Sequence, residues 1–342
     1  MLKRASSRAN LPEDPSVATS MALTGSIALV AAGFGAAELL LHRVATPILA
    51  HVPHEGPSTP AVSVAWAGER ALGGTAILVG LLVLMLAAGA RRHDRGLVAA
   101  LLLGIAGTAL ALIEGGRVAS LAGHLAVGAA VVLVAGPAAF RLGGGRATVL
   151  AFAASAMLAG QWFFASAELE GLTSASSSIG GGMLTPSLAE AALVLTPIAA
   201  ACAELADRSP SRVQWLVAVL AAVSTSALLA RSPGYTAIVS LWATGVTLAL
   251  PAVLYVASVS SAALVLSMWL VRAATRPLAA GLVLLAVAGV APGAVHHNLT
   301  AVAAVALLAW PTVATAARPV AAASGISTTA GLAPHVRMGV NG

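Results

Sequence analysis

The chain is 342 residues long, 59% hydrophobic and only 9% charged, with a formal net charge of +6 and a mean hydropathy of +0.94. Soluble domains carry roughly 25% charged residues, so this composition excludes a water-soluble fold and points to lipid as the solvent. The basic balance does not indicate nucleic acid: Lys3 is the only lysine, and the arginines stand singly or in pairs between apolar runs, where topology signals belong.

Lys3, Arg4 and Arg8 precede an apolar stretch that begins near Thr19. That stretch is longer than a signal-peptide core, so it is read as the first retained span. Further apolar runs recur between short polar breaks. Spans are predicted over 19–46, 71–90, 96–115, 118–140, 147–167, 187–206, 213–231, 249–271, 277–295 and 297–317. Segment 235–271 is too long for one span and is interrupted by Pro251, so 236–247 is expected to lie in the interface with Trp242 as anchor. The expectation is an all-α, polytopic transmembrane helix bundle of about ten spans with both termini in the cytoplasm. Residues 1–18 form a cytoplasmic segment, 19–317 the bundle, and 318–342 a flexible cytoplasmic tail. With that orientation, of 18 Lys and Arg only Arg43, Arg70, Arg117 and Arg231 fall outside, as the positive-inside rule requires.

Two outer loops are long, 47–70 and 168–186. Gly33, Gly35, Gly104 and Gly107 are expected to let helices approach closely. The single cysteine, Cys202, excludes an internal disulfide or a Cys-rich metal site and is read as packing. The run Gly143–Gly144–Gly145 is a short inner turn, and neither a phosphate loop, a dinucleotide fingerprint nor a nucleophile triad is present.

Ionisable groups inside a bilayer are costly and tend to be functional. Glu38 and His42 lie toward the outer end of the first span, and Glu114 and Arg117 flank the turn between the third and fourth. His124 is about two turns into the fourth span, Glu168 follows the fifth, Glu190 opens the sixth, and His296 and His297 sit where the ninth meets the tenth. A b-type haem needs two neutral imidazoles from different helices at one depth. His42 and His124 meet that condition, with His297 as alternative partner, Arg117 to pair a propionate, and Gly123, Ala126, Val127 and Gly128 to leave room for the macrocycle. A copper or zinc site is the second reading, drawn from His42, His124, His296 and His297 with His51 and His54 of the first outer loop. Glu38 and Glu114 would serve beside the haem or take protons from a quinol. Structural readings compete with each: an imidazole satisfied by a neighbouring helix, a wet Pro-rich loop, and ordinary pairs at i,i+3 or i,i+4.

Glu38–Leu39–Leu40–Leu41–His42–Arg43 resembles the Glu/His-Arg element of haem A synthases, and His124–Leu125 is similar to their later haem-ligand helices. The paired outer-loop cysteines of that family are absent. His296–His297–Asn298–Leu299–Thr300 resembles the double histidine of the haem-copper oxidases. In whole-chain character, with Ser240–Leu241–Trp242–Ala243–Thr244–Gly245 followed by Leu250–Pro251 and Tyr255, the chain is similar to the very hydrophobic membrane component of archaeal cytochrome b558/566. These resemblances imply an electron-transfer subunit of a respiratory complex in a prokaryotic plasma membrane. It would carry haem b and exchange electrons with quinone or an outward-facing cytochrome. The alternatives are a secondary transporter, suggested by Pro197, Pro251 and Pro292 within apolar runs, and a cofactor-free scaffold. Against transport, the acids are expected at helix ends rather than at mid-membrane.

Overall fold

The computed structural model describes residues 15–41, 63–64, 67–68, 71, 95–112, 116–173, 184–231, 252–290 and 294–309. Among the described residues the chain is all-α. The helices are α1 (Pro15–Leu40), α2 (Arg95–Leu112), α3 (Arg117–Leu142), α4 (Gly144–Thr173), α5 (Leu184–Asp207), α6 (Arg212–Arg231), α7 (Ala252–Leu270), α8 (Arg276–Val290) and α9 (Ala294–Leu308). They coincide with nine of the predicted spans. The span at 71–90 lies outside the described residues except for Ala71, and the interfacial segment 236–247 lies outside them entirely.

Helices are the form expected of apolar runs in lipid, because every backbone polar group is then satisfied within its own segment. Among the described residues four helices are long and apolar enough to cross a membrane: α3, α4, α5 over Leu188–Asp207, and α7. At about 1.5 Å per residue, the 26 residues of α3 reach ~39 Å, against a hydrocarbon core of ~30 Å.

Close contacts set the direction of each helix. Gly145 meets Ala203, so α4 and α5 are antiparallel. Gly281 meets Ala304, Leu307 and Leu308, which makes α8 and α9 antiparallel. Gly25 meets Arg276 and Pro277 while Gly35 meets Leu284 and Val287, so α1 and α8 are parallel. Gln214 Nε2 donates to the Ser267 carbonyl at 3.3 Å, joining the start of α6 to the end of α7. The helix ends consequently sort into two sets. The C-terminal ends of α1, α2, α4, α6 and α8 share one end of the bundle with the N-terminal ends of α3, α5, α7 and α9. At the opposite end, Glu204 is buried between Arg146 at 3.7 Å and Arg208 at 3.8 Å, tying α4 to α5.

The core sits on α8 and α9. Every residue from Thr300 to Ala309 is buried, and α8 is buried over most of its length. A helix apolar all round belongs in an interior. By contrast α6 packs chiefly on α7 and exposes Val213, Trp215, Leu216, Val219, Leu220 and Val223.

The structure changes several expectations. The fifth predicted span, 147–167, is the longer helix α4, which continues through Glu168 to Thr173 and shortens the expected outer loop. Gly35, Gly104 and Gly107 are packing positions; for Gly33, nothing among the described residues lies within 4 Å of an added β-carbon. Cys202 is exposed on α5 instead of packed. The glycine turn is as expected: Gly143 and Gly144 have φ of 63° and 54°, a left-handed backbone that a β-carbon would strain.

A β-carbon on Gly107 would stand 2.6 Å from the Gly123 carbonyl oxygen and 2.9 Å from Val127 Cγ2. Gly107→Ala is expected to destabilise the bundle by about 1–3 kcal/mol, because the α2 and α3 backbones must part. Gly33→Ala should be neutral or slightly stabilising. Thermal unfolding of both variants in one detergent checks the contrast.

Candidate functional site

The polar groups of interest lie on the antiparallel pair α3 and α4. On α3, Arg117, Ser120 and His124 recur at i, i+3 and i+7, so they share one face. On α4, Gln161, Phe164, Glu168 and Gly171 do the same. The two rows meet rung by rung. His124 is 2% exposed, and its Nδ1 lies 3.0 Å from Gln161 Oε1. A carbonyl oxygen can only accept, so in the tautomer with its hydrogen on Nδ1 the histidine donates to Gln161 and Nε2 carries the lone pair. Phe164 stacks on the imidazole, with centroids 5.3 Å apart and planes at 17°, and Phe163 meets Phe164 edge-on at 5.6 Å. One turn outward, the Ser120 hydroxyl donates to Glu168 Oε1 at 2.9 Å. Outermost, the Arg117 guanidinium lies against the Cα of Gly171, in space that a β-carbon would occupy.

The amide nitrogen of Gln161 is buried without a hydrogen-bond partner among the described residues. Leaving a buried donor unmade is costly. The amide thus meets the histidine through its oxygen end alone.

Other predicted candidates gather at the same end. Glu38 is buried in the last turns of α1 at 4% exposure. His296 and His297 lie in the first turn of α9, which packs on α2 and α3. Glu190, expected at the mouth of its span, is six residues inside α5 and 2% exposed, and its carboxylate accepts a hydrogen bond from the Tyr255 hydroxyl of α7. His42, His51, His54 and Glu114 lie outside the described residues. Among the described residues no three His, Cys, Asp or Glu side chains come together as a metal-binding group.

One expectation about this site is corrected. Gly123, Ala126, Val127 and Gly128 were expected to leave room beside His124. Instead, Gly123, Ala126 and Val127 take the close approach of α2 at Gly107, and Gly128 packs on Leu158 and Gln161 of α4. Small residues bring backbones together, and here the space goes to helix packing.

Sequence reasoning missed Ser120, Gln161, Phe164 and Tyr255. The spacing of rare polar residues on one face of each apolar run was the available signal. Which runs face each other is not written in that spacing.

Comparison with protein-family models, curated proteins and solved structures finds no match at the level that would show a relationship.

The His124–Gln161 contact is expected to be energetically coupled. His124→Leu and Gln161→Leu should each lower stability by about 1–3 kcal/mol, since each leaves a buried polar partner unsatisfied. The double variant should lose less than the sum by about 1 kcal/mol. Additive losses in equilibrium unfolding would show that the two side chains do not support one another.

Proposed function

We propose that the protein is an integral membrane electron-transfer subunit holding a b-type haem at the His124 end of the bundle. The observation that carries this reading is the fully buried His124, whose Nδ1 lies within hydrogen-bond distance of Gln161 Oε1. With its hydrogen on Nδ1 the ring would be held by Gln161 and would offer Nε2 to the iron of a haem, which would supply one-electron chemistry. The second imidazole would be His297, in the first turn of α9, or His42, which lies outside the described residues; α9 begins at the His124 end and packs on α3. Arg117, spread over Gly171, is the cation for a propionate, and Glu38 is the acid beside the site. The chain's own part is to bind the haem, orient the ligand and exclude water.

Orientation follows from charge. Arg95, Arg141, Arg146, Arg208, Arg212, Arg272 and Arg276 lie at the end opposite His124, whereas Arg117 and Arg231 share its end. This distribution supports an orientation in which the His124 end would face outward from a prokaryotic plasma membrane and the surplus of arginine would face the cytoplasm. On that face a respiratory partner, an outward-facing cytochrome or quinone, would exchange the electron. Copper bound by His296, His297, His42 and His124 is the competing cofactor reading.

A secondary transporter is the second reading, and one observation favours it: the acid Glu190, fully buried within α5. It predicts substrate or ion flux in vesicles and no chromophore.

The dithionite-reduced minus oxidised absorbance spectrum of the purified protein tests the proposal. A b-type α-band is expected, lost in His124→Ala and retained but shifted in Gln161→Leu. A flat spectrum from protein expressed with ample haem would rule out the haem reading. Metal analysis would then separate copper from a cofactor-free protein.

A further inference from the structure

Helices α5 and α7 run parallel, with Glu190 near the start of one and Tyr255 near the start of the other. Both side chains are 2% exposed, and the Tyr255 hydroxyl donates to Glu190 Oε1. The adjoining core residues Leu193, Val194 and Leu254 are apolar. We propose that this pair is a proton-binding site, separate from His124, in which the Glu190 carboxyl takes up and releases one proton inside the bundle. The inference stands whether or not His124 carries a haem.

The ligand class follows from room and chemistry. Both groups are buried at 2% exposure, and a proton is the ligand that such a pair can take without a coordination shell. A negative charge held in an apolar interior is costly, and a carboxyl can relieve that cost reversibly by binding a proton. A phenol hydrogen bond to the carboxyl supports either protonation state. The step is a simple acid dissociation: the O–H bond of Glu190 breaks, its electron pair stays on the carboxylate, and the proton goes to water at the nearby end of the bundle. Glu190 is about 9 Å from the start of α5, at 1.5 Å per residue.

Among the described residues the charged groups on the helices around the pair are these. At this end α4 carries Glu168, engaged by Ser120 of α3, and Glu170. Arg117 of α3 lies over Gly171 of α4, and α6, packed on α7, ends at Arg231. The ionisable groups of α8 and the remaining ones of α5, namely Arg276, Cys202, Glu204 and Asp207, are at or near the opposite end. Pro197 lies inside α5 two turns beyond Glu190 and removes the N–H that the Leu193 carbonyl would otherwise accept. The helix is therefore easier to bend one to two turns beyond the pair, which gives a change of charge at Glu190 a structural outlet nearby.

Infrared spectroscopy of the full-length protein in lipid nanodiscs, titrated from about pH 5 to about pH 9 in light and heavy water, tests the site. The expected result is a protonated-carboxyl stretch that shifts on deuteration and disappears reversibly as pH rises. It should be absent in Glu190→Gln, preserved in Glu168→Gln, and moved to higher frequency in Tyr255→Phe, where the hydroxyl donor is gone. A band absent at every pH would overturn the proposal, as would one unaffected by Glu190→Gln. A Glu190 band that never titrates would make it a structural acid and overturn the proposal equally. If Glu190→Gln fails to accumulate, Tyr255→Phe decides: an unmoved band assigns the signal elsewhere.

Discussion

From Thr300 to Ala309 the helix α9 has no exposed side. It is enclosed by α8, α2 and α3, with Gly281 of α8 and Gly104 of α2 allowing the close approach. In lipid there is no hydrophobic drive to press helices together, so dense van der Waals packing through small residues does that work. The alanine-rich face of α9 and the glycines opposite it supply the density. Once α9 and α8 are seated, α1 must lie parallel to α8, and α3 must bring its polar row to the end where α9 begins.

The polar groups do not scatter through this packing. His124 with Gln161, Ser120 with Glu168, Glu190 with Tyr255, and Glu38 gather toward one end of the bundle. The arginines favour the other. An apolar interior makes each polar side chain depend on a partner from a neighbouring helix. His124 is accordingly oriented by α4, and Glu190 by α7. Thr108 and Thr196 behave differently: each returns its hydroxyl to a carbonyl of its own helix, at Gly104 and Ala192.

These two kinds of buried polarity suggest how the molecule divides its labour. The opposite end is a clamp, where Glu204 holds Arg146 and Arg208 and the glycine turn joins α3 to α4. Within the proposed function, the His124 end would hold the groups whose protonation or ligation changes. Electron exchange at His124 and proton exchange at Glu190 would then occur on two helix pairs joined through the α4–α5 interface.

The amino-acid sequence by itself determined the class of solvent, the helical character and nearly all the helix positions. Those properties are sums over local residues, and apolar runs of one length recur too regularly to mean anything else. It also marked His124, Glu38, Arg117 and Glu190 as costly residues in the wrong solvent. Only the tertiary structure decided their partners. The extension of α4 turned Glu168 from a loop residue into the acceptor for Ser120, and the antiparallel register put Gln161 behind His124. Gly123 and Gly128, read as space for a cofactor, became contact surfaces for α2 and α4. The cause is general: helix periodicity reveals which residues share a face, but the choice of facing helix is made by packing, which is non-local and leaves no pattern within a single run.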